Sequence, residues 1–162
     1  LSETIIINDE LSLEEKYLLL GKQLRSLLNK EENILSNLAN FTAALKQTFN
    51  KISWVGFYLY DGQKLYLGPF QGKVACTLIE LGTGVCGKAA LNQQSVIVEN
   101  VDKFPGHIAC DPESRSEIVI PIVKNKVLFG VLDLDSKELN SFNKTDQKYL
   151  EEYCSFLSSE II

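Results

Sequence analysis

Four cysteines, one histidine and a short series of carboxylates stand where they could do sulfur chemistry. Cys110 lies in the stretch Phe104 to Pro121, where the turn dipeptide Pro105-Gly106 leads into His107, the chain's only histidine. A polar run then crosses Asp111-Pro112 before an apolar strand begins at Ile118. That order puts Cys110 in a loop. His107 and Arg115 would each favour a thiolate there, while Asp111 and Glu113 would oppose it, so the local sequence leaves its reactivity open. An inert exposed thiol and a structural histidine are the plain alternatives.

The other thiols differ in setting. Cys76 is expected at the end of a short strand, Lys73 to Thr77. Cys86 is expected to open a helix, where the helix dipole can lower a thiol pKa. Cys154 falls on the apolar stripe of the last helix and is expected simply to pack. Three cysteines in loops or at element ends suggest a redox relay more than a metal centre. Gaps of 10 (86 − 76) and 24 (110 − 86) residues, with one histidine to help, lack the close paired ligands zinc prefers. No metal is expected on that ground.

Asp133 and Asp135 stand two apart in an apolar strand, so their side chains share one face of a sheet. Either the strand reaches solvent there, or the charges serve a site, and Glu117 at the start of its strand carries the same ambiguity. If the three share a pocket, they suit a ligand with an ammonium group, and Trp54 with Tyr58 would supply an aromatic wall.

The elements that must position these residues are readable in order. A capping box, Ser12 with Glu15, opens a helix striped by Leu13, Tyr17, Leu20, Leu24 and Leu27. A second helix starts near the acidic pair Glu31-Glu32 and is striped by Ile34, Leu38, Phe41, Leu45 and Phe49. From Ile52 the apolar period becomes two, and Asp61-Gly62 signals a hairpin to a return strand at Leu65 to Pro69. Gly82 to Gly87 turns into a short helix, followed by a strand at Ser95 to Val98. Ile118 to Val123 and Val127 to Leu134 form a second hairpin about Lys124-Asn125-Lys126. Asn143 with Asp146 opens the last helix. This order predicts a single α+β domain, an antiparallel sheet with helices segregated to one side. Residues 1–11 are expected to be a lead, flexible or tag-derived.

Composition narrows the function. With 162 residues, 45% hydrophobic and 23% charged, the chain can bury a core without disulfides. A net charge of −5 and scattered lysines exclude a phosphate-neutralising surface, so no nucleic-acid partner is expected. No run of about 18 to 20 apolar residues and no secretion signal predict no membrane and a cytoplasmic location, where disulfides tend to be catalytic or sensory.

Several passages together resemble one family. Trp54-Val-Gly-Phe-Tyr58, Leu67 to Cys76, Gly82-Thr-Gly-Val-Cys-Gly87, His107-Ile-Ala-Cys-Asp111, Ser116 to Pro121 and Gly130-Val-Leu-Asp-Leu-Asp-Ser136 are similar to the free methionine-(R)-sulfoxide reductases, built on a GAF domain. The likeness spans about residues 12 to 160, with no departure at the motif positions. It implies a GAF-like sheet with the N-terminal helix pair and the C-terminal helix packed on one side. It also implies a homodimer, with the first two helices as plausible pairing surfaces.

By that resemblance Cys110 is the nucleophile, Cys76 the resolving thiol and Cys86 a third cysteine able to join disulfide exchange. Glu117, Asp133 and Asp135 bind substrate, Glu117 or Asp135 protonates the departing oxygen, and Trp54 and Tyr58 line the methyl-sulfinyl end. A sulfenic acid on Cys110 would condense with a second thiol, and thioredoxin, recharged from NADPH, would reopen the bridge without any bound cofactor. The preference for the R epimer rests on the resemblance alone. A non-catalytic GAF ligand-binding module and a thiol redox sensor remain open readings at this point.

Overall fold

A computed structural model describes residues 4–162 of the chain. Four α-helices, α1 Leu13–Leu27, α2 Ile34–Thr48, α3 Gly84–Asn92 and α4 Lys144–Phe156, accompany six strands: β1 Trp54–Tyr60, β2 Lys64–Gln71, β3 Leu78–Glu80, β4 Val96–Val98, β5 Ser116–Lys124 and β6 Val127–Ser136. The strands form one antiparallel sheet in the order β3-β2-β1-β6-β5-β4. Two tight hairpins set its register. Asp61 accepts from the amides of Gln63 and Lys64 at the β1–β2 turn, and Asn125 and Lys126 adopt left-handed φ of 51° and 66° at the β5–β6 turn.

Because side chains alternate across a strand, the central strands have two distinct faces. Val55, Phe57 and Leu59 of β1, Leu132 and Leu134 of β6, and Ile118, Ile120 and Ile122 of β5 point to the side covered by α1, α2 and α4. There they meet Tyr17, Leu24, Phe41, Leu45, Leu150 and Tyr153. Each such aliphatic residue contributes about 1.5–3 kcal/mol by leaving water, so this face supplies most of the fold's stability. Its one buried carboxylate, Asp146, is fully satisfied by the Tyr17 hydroxyl and Lys51 Nζ, both at 2.7 Å, and by the Asn143 amide at 2.8 Å. Trp54, Tyr58, Val119 and Val131 occupy the opposite face, under Val85, Ala89 and Ala90 of α3.

The three long helices lie on one side of the sheet, as the sequence suggests, whereas the short α3 lies on the other. Helix α2 begins later than the Glu31-Glu32 pair implied, because the Asn33 side chain caps it by accepting from the Leu35 amide at 2.8 Å. The strand expected at Lys73 to Thr77 is a loop instead. Gly72, with φ of +135°, turns the chain away from the sheet, and the carbonyls of Lys73 and Cys76 are taken by the side chains of Trp54 and Tyr58. Backbone pairing with β2 resumes at Thr77, whose carbonyl accepts from the Leu67 amide at 3.0 Å, and runs on through Leu78–Glu80.

Of the N-terminal lead, residues 4–11 run without regular structure, tied to α1 by reciprocal bonds of 2.9 and 2.8 Å between the Ile6 backbone and the Gln23 side chain. The first three residues of that lead lie outside the described residues. Among the described residues no helix is long and apolar enough to cross a membrane.

Candidate active site

The register of the sheet's α3-side face assembles an acidic floor. Trp54 of β1 and Glu117 of β5 both pair with Asp135 of β6, so the three side chains form one row across three strands. In the next row Asp133 stands between Gly56 and Val119, and in the next Val131 stands beside Tyr58. Asp133 and Asp135 therefore do not mark a strand emerging into solvent. Glycine is required at position 56, because a Cβ there would run into the Trp54 ring and the Phe70 Cβ. That gap lets Trp54 lie flat, stacked on Phe70 and 6.0 Å from the Tyr58 ring.

Glu117 and Asp133 are each only 6% exposed, and crowding acids there disfavours their anions. Burial pushes the Asp133 carboxyl well up, and the neighbouring Glu117 charge pushes it further. Glu117 is raised by burial and then by Asp135; Asp135 is raised by burial and then by Asp133, against a lowering hydrogen bond from Ser114. That bond runs from Ser114 Oγ to Asp135 Oδ1 at 2.6 Å. Asp133 Oδ1 is buried and has no hydrogen-bond partner among the described residues. A buried carboxylate oxygen left without a partner is rare in a folded chain, which suits a site made to receive a donor.

Cys86 reaches the floor from the first turn of α3, its Sγ 4.0 Å from Glu117 Oε1. The expectation of a thiol activated by the helix dipole is overturned: burial first, then Asp133 and Glu117, push this thiol well above its ordinary pKa. His107 approaches from the other side, with Nε2 3.4 Å from Glu117 Oε2. Burial lowers the His107 pKa, which Asp102 partly offsets, and burial raises that of Glu117. Both shifts disfavour the ionised pair. Arg115, weighed as a thiolate partner, is exposed.

Two loops close the mouth. The loop after β2 carries Cys76, the loop before β5 carries Cys110, and the two cysteines are joined in a disulfide with Cα atoms 5.6 Å apart. Lys73 clasps the same loops by pairing with Glu113 and, at 3.8 Å, with Asp111; Lys137 also holds Glu113 at 3.0 Å. The two lysines, Lys73 before Lys137, bring the Glu113 pKa down to about 2. Lys88 of α3 secures the second loop by donating to the Pro105 carbonyl at 2.7 Å.

Between the floor and the two loops lies a pocket whose empty space is roughly 540 Å³ when its open mouth is counted. Trp54, Tyr58, Cys86, Cys110, Glu117, Asp133 and Asp135 all line it, and Cys76 is held behind Cys110 by their bond. Cys154 lies in the helix-side core, well apart from this face, with its thiol pKa raised by burial.

Three contributors escaped the sequence reading. Ser114 orients Asp135, and its only signal was its place in a polar run. Lys73 links the loops across 38 and 40 residues of sequence to Asp111 and Glu113, which no local pattern could reveal. Ile108 forms part of the mouth by packing over Gly84, where φ is +61° and a Cβ would press on the Ile108 side chain at 3.1 Å.

Residues 31–161 match the family model described as GAF domain. The GAF domain-containing protein A of Dictyostelium discoideum is 52% identical over 149 residues, covering 91% of this chain and 94% of its own. The free methionine-R-sulfoxide reductase of Escherichia coli is 44% identical over 138 residues, covering 85% of this chain and 84% of its own. Among solved structures, the free methionine-R-sulfoxide reductase of Neisseria meningitidis in complex with its substrate superposes with a TM-score of 0.93 at 41% identity, covering 97% of this chain and 94% of that one.

Proposed function

This chain belongs to the GAF family and, within it, to the free methionine-R-sulfoxide reductases, and on that premise we propose that it reduces free methionine (R)-sulfoxide to methionine through Cys110 and Cys76. The observation that carries the reading is a bonded cysteine pair poised over a floor of three buried carboxyls.

With the disulfide opened, the Cys110 thiolate attacks the sulfoxide sulfur. The oxygen cannot depart unprotonated, and a carboxyl whose pKa burial and neighbouring acids raise is the donor the step needs. Glu117 or Asp135 fills that role, the latter oriented by Ser114. The protonated oxygen passes from the sulfoxide sulfur to the Cys110 sulfur as the bond made in the attack breaks, so methionine leaves and Cys110 becomes a sulfenic acid. The Cys76 thiol attacks that sulfur, water is released, and the disulfide forms. Two thiols have given two electrons to the sulfoxide. A later exchange with Cys86 belongs to this reading, and an external dithiol, thioredoxin with NADPH behind it, restores the pair.

Asp133, with its open oxygen, receives the substrate ammonium, and Trp54 with Tyr58 flanks the methyl-sulfinyl end. A methionine inside a polypeptide lacks that ammonium, so the site selects the free amino acid. Two copies pair through α1 and α2, where Leu18 and Leu35 are more than half exposed; sedimentation as a monomer at micromolar concentration would remove this part.

The deciding experiment follows NADPH oxidation with thioredoxin and thioredoxin reductase, supplying each sulfoxide epimer of free methionine separately. Turnover of the R epimer alone is expected. Disulfide formation with peroxide but no turnover of either epimer would leave a redox sensor instead.

A further inference from the structure

The pocket floor contains more ligating power than an ammonium requires. Cys86 Sγ and one oxygen each of Glu117 and Asp133 lie within 4.8 Å of one another, and all three residues are buried. A tetrahedral zinc ion with bonds of about 2.0–2.3 Å holds its ligands roughly 3.5 Å apart, so small side-chain rotations would close this set. The second indication is independent of the clustering: Asp133 Oδ1, in a residue only 6% exposed, has no hydrogen-bond partner among the described residues. We propose that the disulfide form binds one borderline-soft divalent cation of the zinc class at Cys86, Glu117 and Asp133, in competition with substrate.

The donor set identifies the cation. One sulfur and two carboxylates fit zinc, whereas magnesium and calcium seek six or more oxygens. The fourth position falls to a water, or to His107, whose Nε2 is 3.4 Å from Glu117 Oε2. The sequence reading expected no metal from the cysteine gaps and the lone histidine; the strand register instead brings two acids to one cysteine. A thiol and carboxyls must shed the protons they hold before they ligate, so a dication entering here releases protons. Binding itself is independent of the proposed catalysis. Its consequence, inhibition of the reductase by zinc, rests on that reading.

Zinc chloride titrated calorimetrically into the full chain in its disulfide form, in two buffers of different protonation enthalpy, tests the site. One equivalent should bind with proton release, and cobalt(II) in its place should show thiolate-to-metal charge-transfer absorption. Cys86→Ser should abolish that absorption, and Asp133→Asn should weaken zinc at least tenfold, each with an unchanged circular dichroism spectrum. Cys154→Ser should change neither. No saturable binding up to millimolar zinc, or a charge-transfer band that survives Cys86→Ser, would overturn the site. A parallel turnover assay separates the two readings: active enzyme that zinc neither binds nor inhibits loses only the metal site, and zinc bound by a chain that never turns over loses only the reductase.

Discussion

Asp133→Asn isolates the contact proposed to choose a free amino acid. The substitution keeps the side chain's size at a position hemmed in by Gly56 and Val119, but the amide cannot take up the negative charge that the substrate ammonium would draw out, and one of its two acceptor oxygens becomes a donor. A buried hydrogen bond assisted by charge contributes about 2 kcal/mol, which is roughly a 30-fold change in binding. The same contact exists before and during the reaction, so KM should rise about 30-fold with kcat little altered. The sharper measure is discrimination: kcat/KM for free methionine sulfoxide over its N-acetyl derivative, assayed side by side. The parent should favour the free form at least 30-fold and the variant should nearly lose the preference. If the ratio is unchanged in Asp133→Asn, the ammonium is recognised elsewhere and the reasoning fails.

Cys76→Ser should complete one turnover and then stall with a sulfenic acid on Cys110 that dimedone traps, while Cys110→Ser should release no methionine; a stalled enzyme without a dimedone adduct would refute the order of sulfurs. The folded pKa values of Glu117, Asp133 and Asp135 lie above their unfolded ones. Their contribution to stability is therefore full below about pH 4 and is lost as pH rises through the raised values. The melting temperature of the disulfide form should accordingly fall from pH 5 to pH 8, with a shallower slope in Glu117→Gln; equal slopes would show that the floor carboxyls are not the cause. Gly56→Ala should displace the Trp54 ring, lowering stability by about 1–3 kcal/mol in urea unfolding and raising KM; wild-type values for both would contradict the packing described.

The two hairpins, the capped helices and the helix stripes were legible in sequence because each rests on a local rule: Asp61-Gly62 needs only its neighbours, and the Asn143–Asp146 box spans a single turn. Asp133 and Asp135 were legible as a same-face pair, but whether that face was wet depended on α3 and two loops arriving from elsewhere in the chain. Residues 73–77 were misjudged for the same reason. Their composition tolerates a strand, and the competition for their carbonyls by Trp54 and Tyr58 is a tertiary event. The Cys86 thiol was misjudged because a helix terminus is a local signal, whereas the acids opposing it come from β5 and β6.

The bond between Cys76 and Cys110 spans 34 residues, and the ring it closes contains β3, α3 and β4. In the chain-entropy account a ring of that size is worth about 3–4 kcal/mol to the folded state. Every catalytic cycle would thus alternate between a girdled protein and an ungirdled one. The loosened phase coincides with the moment when methionine sulfoxide must get in, and the tightened phase with the wait for a reducing partner.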